Sequence, residues 1–165
     1  MSRVMRRHRL KGRDTRLFLA ELRESLGLDL EEFFGTKPRI ELLETRDCEV
    51  FLSNGKAVLL RMDDNIVPTL LFDEYLPLLP RVVVDMGAIP HICNGADVMA
   101  PGILRVEGEF SKDDLVLVVD ERHGRPLAVG RALTDSETVK SAKHGRVVKN
   151  LHYVGDKIWK TLKKI

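Results

Sequence analysis

The spacing of apolar residues near the start of the chain predicts a helix. Phe18, Leu22 and Leu26 recur every four residues, a period that places all three on one face of a helix. Asp14 lies ahead of them and can accept the free N–H groups of a first turn, so we expect the helix to begin there. Gly27 tolerates the left-handed backbone that ends many helices, and we expect the helix to stop at this residue.

The apolar period changes from helical to strand-like at Arg39. Before this point we expect a short strand at residues 8–10 and a second short helix at residues 29–35. Apolar runs of strand length follow at residues 40–45, 49–52 and 57–61. Asn54 and Gly55 separate the last two runs, and this dipeptide favours the positive φ angles of a tight hairpin turn. A small sheet packed on helices is therefore predicted.

A domain boundary is predicted between residues 79 and 80. A short helix through Phe72 and Tyr75 is expected to end the first half, and residues 77–80, with a proline at each end, are typical of a linker. Residues 1–79 are therefore predicted to form an α+β domain, and residues 80–165 a second domain.

The second domain is predicted to be mostly strand. Residues 81–89 form an apolar run of strand length, and residues 94–102 are expected to form a turn, about one helical turn and another turn. Further strands are expected at residues 114–120, 126–133 and 146–153, with a short helix within residues 135–145. Many short strands with glycine-rich turns are typical of a small barrel. A mostly-β pseudo-barrel with short helices is the predicted fold.

The composition is that of a globular protein, with 44 % hydrophobic and 32 % charged residues. No apolar run approaches the ~18 residues of a membrane-spanning helix, and the N-terminus lacks the apolar core of a secretory signal. We expect a cytoplasmic protein, although an Arg-rich, acid-poor start also fits a mitochondrial transit peptide. Cys48 and Cys93 are the only cysteines, too few for a disulfide framework or a self-sufficient zinc site.

Charge is segregated along the chain, although the net charge is only +2. Residues 1–16 carry seven Lys or Arg against one Asp, a balance of +6, and residues 134–165 carry eight against three acidic residues, a balance of +5. Residues 17–133 must then hold −9. Two basic ends on an acidic body suggest a localised surface for a polyanion such as RNA. The alternative is that both ends are solvated tails, and that residues 1–7 are a flexible segment adding only nonspecific attraction.

One glycine-rich segment carries a family resemblance. The run Gly95-Ala-Asp-Val-Met-Ala-Pro-Gly-Ile103 resembles the signature of the PUA domain, a small pseudo-barrel of proteins that handle RNA. Residues 68–102 and 149–159 resemble more narrowly the malignant T-cell-amplified-sequence family and its archaeal relatives, which join a distinct N-terminal domain to a C-terminal PUA domain. The Asn54-Gly55 hairpin lies where that family has one. The resemblance therefore extends over nearly the whole chain.

The resemblance implies an RNA-binding protein that acts in translation, with tRNA or small-subunit rRNA bound by the PUA domain. In eukaryotic members a separate partner, density-regulated protein, supplies an initiation-factor-like domain, and ligatin joins the equivalent modules in one chain. This sequence lacks such a domain, so it is expected to act with a separate initiation-factor-like protein or the small ribosomal subunit, or to bind RNA alone. Two alternatives stay open: an RNA-delivery module for tRNA modification, and a protein-interaction adaptor.

The predicted RNA surface combines a glycine turn with a basic segment. Glycine lacks a Cβ and lets a sugar-phosphate backbone come close, and a turn that opens a helix at Asp97 would leave N–H groups free near an anion. The predicted RNA-binding residues are Gly95, Ala96, Asp97, Gly102, Lys140, Lys143, His144, Gly145 and Arg146. Alternatively the glycines serve only turn geometry and Asp97 is an N-cap. Val98, Met99 and Ile103 are expected in the core.

No catalytic activity, cofactor or metal is expected. The chain contains no P-loop, nucleophile elbow, HExxH helix or dinucleotide-binding glycine fingerprint. His91 and Cys93 would share one face of a strand, but two ligands do not complete a zinc site. Asp63 and Asp64 could hold a divalent ion, yet the pair is more simply explained as a strand end in solvent.

Overall fold

Two compact units make up the computed structural model, which describes residues 4–165. The first unit ends at Tyr75 and the second begins at Leu76. Because the first contains helices and a sheet and the second is mostly β, the predicted fold class is confirmed. The domain boundary between residues 79 and 80 stays a prediction. In the described part of the chain, no helix combines the length and the apolar character needed to span a membrane.

The first unit is a five-stranded antiparallel sheet with two helices. Its elements are β1 (Val4–Arg9), α1 (Gly12–Leu26), α2 (Leu30–Phe34), β2 (Ile40–Thr45), β3 (Glu49–Ser53), β4 (Lys56–Met62) and β5 (Asn65–Pro68). Every strand pairs with its neighbours in sequence, in the order β1-β2-β3-β4-β5. Residues 4–7 of the predicted flexible tail therefore belong to an edge strand, β1. Residues 1–3 of the predicted tail lie outside the described residues.

Helix α1 ends as predicted but begins earlier. Gly27 adopts φ 63° and its N–H bonds to the carbonyl of Arg23, which is a left-handed cap. Lys11 is the N-cap, and no side chain caps the helix. The Asp14 cap is therefore wrong, because the chain enters the helix directly after β1 and leaves Asp14 inside the first turn. A carboxylate at that position still favours the positive end of the helix dipole.

Two local signals in this unit are confirmed. The second short helix expected at residues 29–35 is α2, which Asp29 caps by accepting the N–H of Glu31 at 3.2 Å. Asn54 and Gly55 adopt φ angles of 52° and 80° in the turn between β3 and β4, as a primed hairpin turn requires. Both signals depend on residues close in sequence, so the sequence alone was sufficient to predict them.

The short helix expected through Phe72 and Tyr75 is wrong, since this segment consists of turns. Thr69 is fully buried and its hydroxyl donates to the carbonyl of Ala57 at 3.0 Å, which holds the chain against β4. Phe72 and Tyr75 then pack edge-on against Phe33, with ring centroids 5.5 and 5.9 Å apart. Packing between aromatic rings of distant segments therefore replaces a local helix.

The second unit is a six-stranded sheet with three short helices. Its elements are β6 (Arg81–Val84), α3 (Ile89–Ile92), β7 (Val98–Met99), β8 (Ile103–Glu107), β9 (Leu115–Asp120), β10 (Pro126–Ala132), α4 (Ser136–Ser141), β11 (Arg146–Tyr153) and α5 (Lys157–Leu162), with 3-10 turns at Leu76–Leu78, Met86–Ala88 and Ala100–Gly102. The strand order is β7-β11-β10-β9-β6-β8. Only the β6–β9 pair is parallel among these described strands. The sheet curls into a half-barrel around a valine-rich core.

The three long strands predicted for this unit are confirmed as β9, β10 and β11, and the helix expected within residues 135–145 as α4. The strand expected over residues 81–89 is wrong beyond Val84. Asp85 ends it by donating its N–H to the carbonyl of Gly102 at 3.0 Å and accepting the N–H of Ala88 at 2.9 Å. Residues 94–102 hold β7 and a 3-10 turn in place of the expected helical turn, and β8 was not predicted.

Asp156 fixes helix α5 to the end of β11. Its carboxylate accepts the N–H groups of Trp159 and Tyr153 at 2.6 and 2.9 Å and lies 2.8 Å from Nδ1 of the buried His152. Burial alone would raise the pKa of Asp156, but the hydrogen bonds from His152 and the two N–H groups lower that pKa below its ordinary value. The carboxylate therefore stays charged at neutral pH and anchors the last helix.

Candidate nucleic-acid interface

The glycine turn and the basic segment meet where β7 pairs with β11. Met99 lies opposite Arg146 and Val98 opposite Val148 in this antiparallel pair. Next to it, the N–H of Ala100 donates to the carbonyl of Gly145 at 2.9 Å. The sequence-predicted residues of the two segments are thus brought together although about 50 residues separate them, because β11 returns beside the turn.

Asp97 connects the two segments directly. Its carboxylate accepts the backbone N–H of Asn150 at 2.9 Å and Nη1 of Arg146 at 3.0 Å. The side-chain amide of Asn150 in turn donates to the carbonyls of Ile92 and Ala96, each at 3.0 Å. Asp97 precedes β7 and not a helix, so both the N-cap alternative and the idea of a helix opened at Asp97 are wrong. The residue instead holds residues 92–97 against β11.

Replacing Asp97 by alanine should destabilise the second unit by about 1–3 kcal/mol, because it leaves the N–H of Asn150 without an acceptor. Asp97→Asn keeps an oxygen at that position and removes only the charge, so it should cost less. Urea unfolding of the two variants beside the unmodified chain measures the difference. Equal stability of Asp97→Ala and the unmodified chain would show that the turn does not depend on this carboxylate.

The three glycines of the predicted site differ in backbone conformation and in the space around them. Gly95 has φ 95°, and a Cβ there would stand 3.1 Å from Oη of Tyr153, so a larger residue would strain the backbone and require the Tyr153 ring to shift. Gly145 has φ 88°, and no described heavy atom lies within 4 Å of the point that a Cβ would occupy. Gly102 lies outside the left-handed region and its Cβ would make an ordinary 3.5 Å contact with Ala88. Gly145 therefore combines a glycine-only backbone with open space.

The four basic residues of the predicted site are all exposed. Lys143 and His144 lie on the loop between α4 and β11. Arg146 keeps 66 % of its side chain accessible although it pairs with Asp97. Lys140, on α4, pairs with Glu137 at 3.1 Å and borders a separate hollow of about 250 Å³ beside β8. The loop and Arg146 thus form the basic edge next to the turn, and Lys140 faces the separate hollow.

A groove of about 510 Å³ was not anticipated from the sequence. It is lined by Asp85, Gly87, Ala88, His91, Ile92, Ala96, Asp97, Val98, Met99, Pro101 and Gly102. Its volume lies within the usual range for small-ligand sites. Met99, expected in the core, is 47 % exposed at this groove. Strand alternation explains the difference, since Val98 faces the core and the next side chain must point outward.

His91 and Cys93 do not share a strand face, because α3 contains His91 and Cys93 is its C-cap. Burial raises the pKa of the Cys93 thiol, which disfavours the thiolate needed for nucleophilic chemistry. Asp63, with φ 49°, lies in the turn between β4 and β5. Within residues 4–165, no three His, Cys, Asp or Glu side chains come together as a group that could hold a metal.

Two protein-family models match the chain, one in each of its two units. Residues 80–154 match the PUA domain, and residues 6–74 match a domain of unknown function, DUF1947. Uncharacterized protein MJ1432 of Methanocaldococcus jannaschii is 41 % identical over 157 residues, which cover 94 % of this chain and 96 % of that protein.

Two eukaryotic relatives and one solved structure extend the match. Translation machinery-associated protein 20 of Saccharomyces cerevisiae is 27 % identical, with 79 % of this chain and 76 % of that protein covered. Malignant T-cell-amplified sequence 1 of Rattus norvegicus is 28 % identical, covering 79 % of this chain and 80 % of that protein. The crystal structure of a PUA domain protein, APE0525 of Aeropyrum pernix K1, superposes with a TM-score of 0.83 at 27 % identity, covering 98 % of this chain and 92 % of that one.

Proposed function

Because this chain belongs to the malignant T-cell-amplified-sequence family, in which a DUF1947 domain precedes a PUA domain, we propose that it binds RNA in the course of translation. The name of the yeast relative, a translation machinery-associated protein, supports the second part of this proposal. The RNA is tRNA or small-subunit rRNA, and the chain acts in the cytoplasm without catalytic activity of its own.

The observation that carries the proposal is the junction of an open glycine backbone with a basic edge and a groove. Gly145 leaves space for the close approach of an RNA backbone, and the exposed cations of Lys143 and Arg146 lie on either side of it in the sequence. The groove beside β7 is lined mainly by small and apolar side chains, with Asp85, His91 and Asp97 among them, and an unstacked base can lie on such a surface. Contacts of the basic edge with phosphates and of the groove with a base would together bind a single-stranded segment of RNA.

The roles of the predicted residues differ within this proposal. Lys143, His144 and Arg146 contact phosphates, and Gly102 and Gly145 allow the backbone to approach. Ala96 lines the groove, while Gly95 and Asp97 shape the turn from behind through Tyr153 and Asn150. Lys140 adds positive charge beside the separate hollow. A separate initiation-factor-like protein or the small ribosomal subunit is the proposed partner in translation.

Salt dependence tests the proposal. Each phosphate contact should contribute about −0.7 to the slope of log affinity against log salt on single-stranded RNA, so the three contacts of this site should contribute about −2 to that slope. Binding of labelled tRNA, measured between about 50 and 200 mM salt, gives this slope. The ratio of nucleic-acid absorbance to protein absorbance in the purified sample reports any RNA that co-purifies. Absence of tRNA and rRNA binding at low salt would refute an RNA-binding function and leave the adaptor alternative.

A further inference from the structure

Helix α1 in the first unit carries a row of arginines on its outer face. Arg13, Arg16 and Arg23, with Ala20 between them, fall within about 80° of arc at 3.6 residues per turn. All four residues are exposed. Phe18 and Leu22 lie on the opposite face of the helix and are buried against the sheet. The arginine row is therefore the solvent face of a helix whose other face is fixed in the core.

Of the three carboxylates of α1, Asp14 and Glu21 lie away from the row, whereas the exposed Glu24 follows Arg23 and lies at the edge of the row. Asp14 and Glu21 occupy another flank of the helix, and Glu21 is bound to Arg61 of β4, which also pairs with Glu49 at 2.9 Å. Among the described residues, no carboxylate oxygen lies within 4.0 Å of the guanidinium groups of the row. With Glu24 counted, the row keeps a net charge of +2, and none of its guanidinium groups has an ion-pair partner among the described residues.

The row does not follow from a generally basic domain. Residues 2–75 contain 13 Lys and Arg against 14 Asp and Glu, a net charge of −1. Like charges three or four residues apart on a helix lower its stability slightly, so aligning Arg13 with Arg16 brings no advantage to folding. A nearly neutral unit that aligns three arginines on one exposed helix face shows the pattern expected of a surface that meets a polyanion.

We propose that this arginine row is a second RNA-binding surface, which contacts backbone phosphates independently of the site at the glycine turn. The inference rests on the proposed function for the identity of the polyanion. The row spans about 15 Å along the helix axis at 1.5 Å per residue, so its ends reach different phosphates of one strand. Guanidinium groups match phosphate oxygens as two-point donors, and the small side chain of Ala20 leaves the middle of the row open.

The test replaces all three arginines by glutamine in the full chain, as Arg13→Gln, Arg16→Gln and Arg23→Gln. Glutamine keeps a helix propensity close to that of arginine, so α1 should remain folded. The tRNA affinity at about 0.1 M salt should fall about 10-fold, and the salt slope should become shallower by about 2, or 0.7 per lost contact. A matched control, Lys37→Gln with Arg39→Gln and Arg46→Gln, removes the same charge from exposed positions of the same unit and should leave the slope nearly unchanged.

The outcomes separate the inference from the proposed function. An unchanged slope for the arginine-row variant, or an equal loss in both triple variants, overturns the row as a site while RNA binding itself stands. An unmodified chain that binds no RNA overturns both. Vesicles containing anionic lipid, tested in parallel, supply a further contradicting result: a row variant that loses vesicle binding but binds tRNA normally assigns the row to membranes.

Discussion

Reversing the charge of Lys143 and Arg146 to glutamate should weaken tRNA binding by about 100-fold at about 0.1 M salt and make the salt slope shallower by at least about 1.4. Both side chains are exposed beside the open backbone of Gly145, so the reversal places two anions where phosphates are proposed to lie. A 100-fold loss corresponds to about 2.7 kcal/mol of binding free energy. Electrophoretic mobility shifts or fluorescence anisotropy on one tRNA measure the affinity.

Stability needs its own control in this experiment, because Arg146 pairs with Asp97 at 3.0 Å. Arg146→Glu would face that carboxylate and lose an exposed ion pair, a change usually worth about 0–1 kcal/mol. Lys143→Gln with Arg146→Gln removes the cations without creating repulsion and should show a smaller loss of affinity in the same direction. Lys112→Glu with Arg122→Glu, two exposed positions elsewhere in the unit, should bind RNA nearly normally. Equal affinity of all three variants would contradict the site.

Replacing Gly130 by alanine should destabilise the second unit by about 3 kcal/mol, because overpacking a tight contact costs about 1–3 kcal/mol and sometimes more. Gly130 lies in β10 at a register shift against β11. A Cβ there would stand 2.4 Å from Cγ1 of Val148 and 2.8 Å from the carbonyl oxygen of Lys149. The backbone oxygen cannot move without breaking the pairing of two central strands.

Gly102→Ala is the matched control for this substitution. Its Cβ would lie 3.5 Å from that of Ala88, an ordinary contact, and its φ is not left-handed. The expected change in unfolding free energy is within about 0.5 kcal/mol. Thermal and urea unfolding of both variants measure the difference. If Gly130→Ala were as stable as Gly102→Ala, the register between β10 and β11 would be wrong.

The elements that could be predicted from the sequence depend on neighbouring residues. The Asn54-Gly55 turn, the Gly27 cap and the short helix at residues 29–35 each depend on a side chain or backbone angle within three residues of the element. The strands β9 and β10 carry continuous apolar runs and are confirmed for the same reason. Local chemistry was sufficient wherever no distant segment competed for the same backbone groups.

The errors fall where distant segments decide the structure. β7 has two residues and exists because it pairs with β11, which no local pattern in residues 94–102 could reveal. The strand through residues 81–89 stops where Asp85 bonds to Gly102, a contact made across the turn. The hydrogen bonds of Asp97 to Arg146 and Asn150 likewise cross about 50 residues. The sequence predicted Asp97 as a site residue but did not predict that it holds residues 92–97 against β11.

The groove beside β7 could have been anticipated in part. Alternation along a strand predicts that Met99 is exposed once Val98 is placed in the core. Pro101 and Gly102, which follow, are small residues that fill little space beside it. His91 could not be placed there, because its helix was interpreted as the end of a strand. Of the predicted site residues, Ala96, Asp97 and Gly102 line the groove, and the groove itself could be recognised only from the fold.

Photochemical crosslinking of the full chain to tRNA, followed by mass spectrometry of the crosslinked peptides, tests the central claim most directly. Crosslinks should fall on residues 94–102 and 143–146, the groove edge and the basic loop, and should disappear from these peptides when Lys143 and Arg146 are reversed. Crosslinks confined to other surfaces, unchanged by that reversal, would contradict the assignment of RNA binding to the PUA domain.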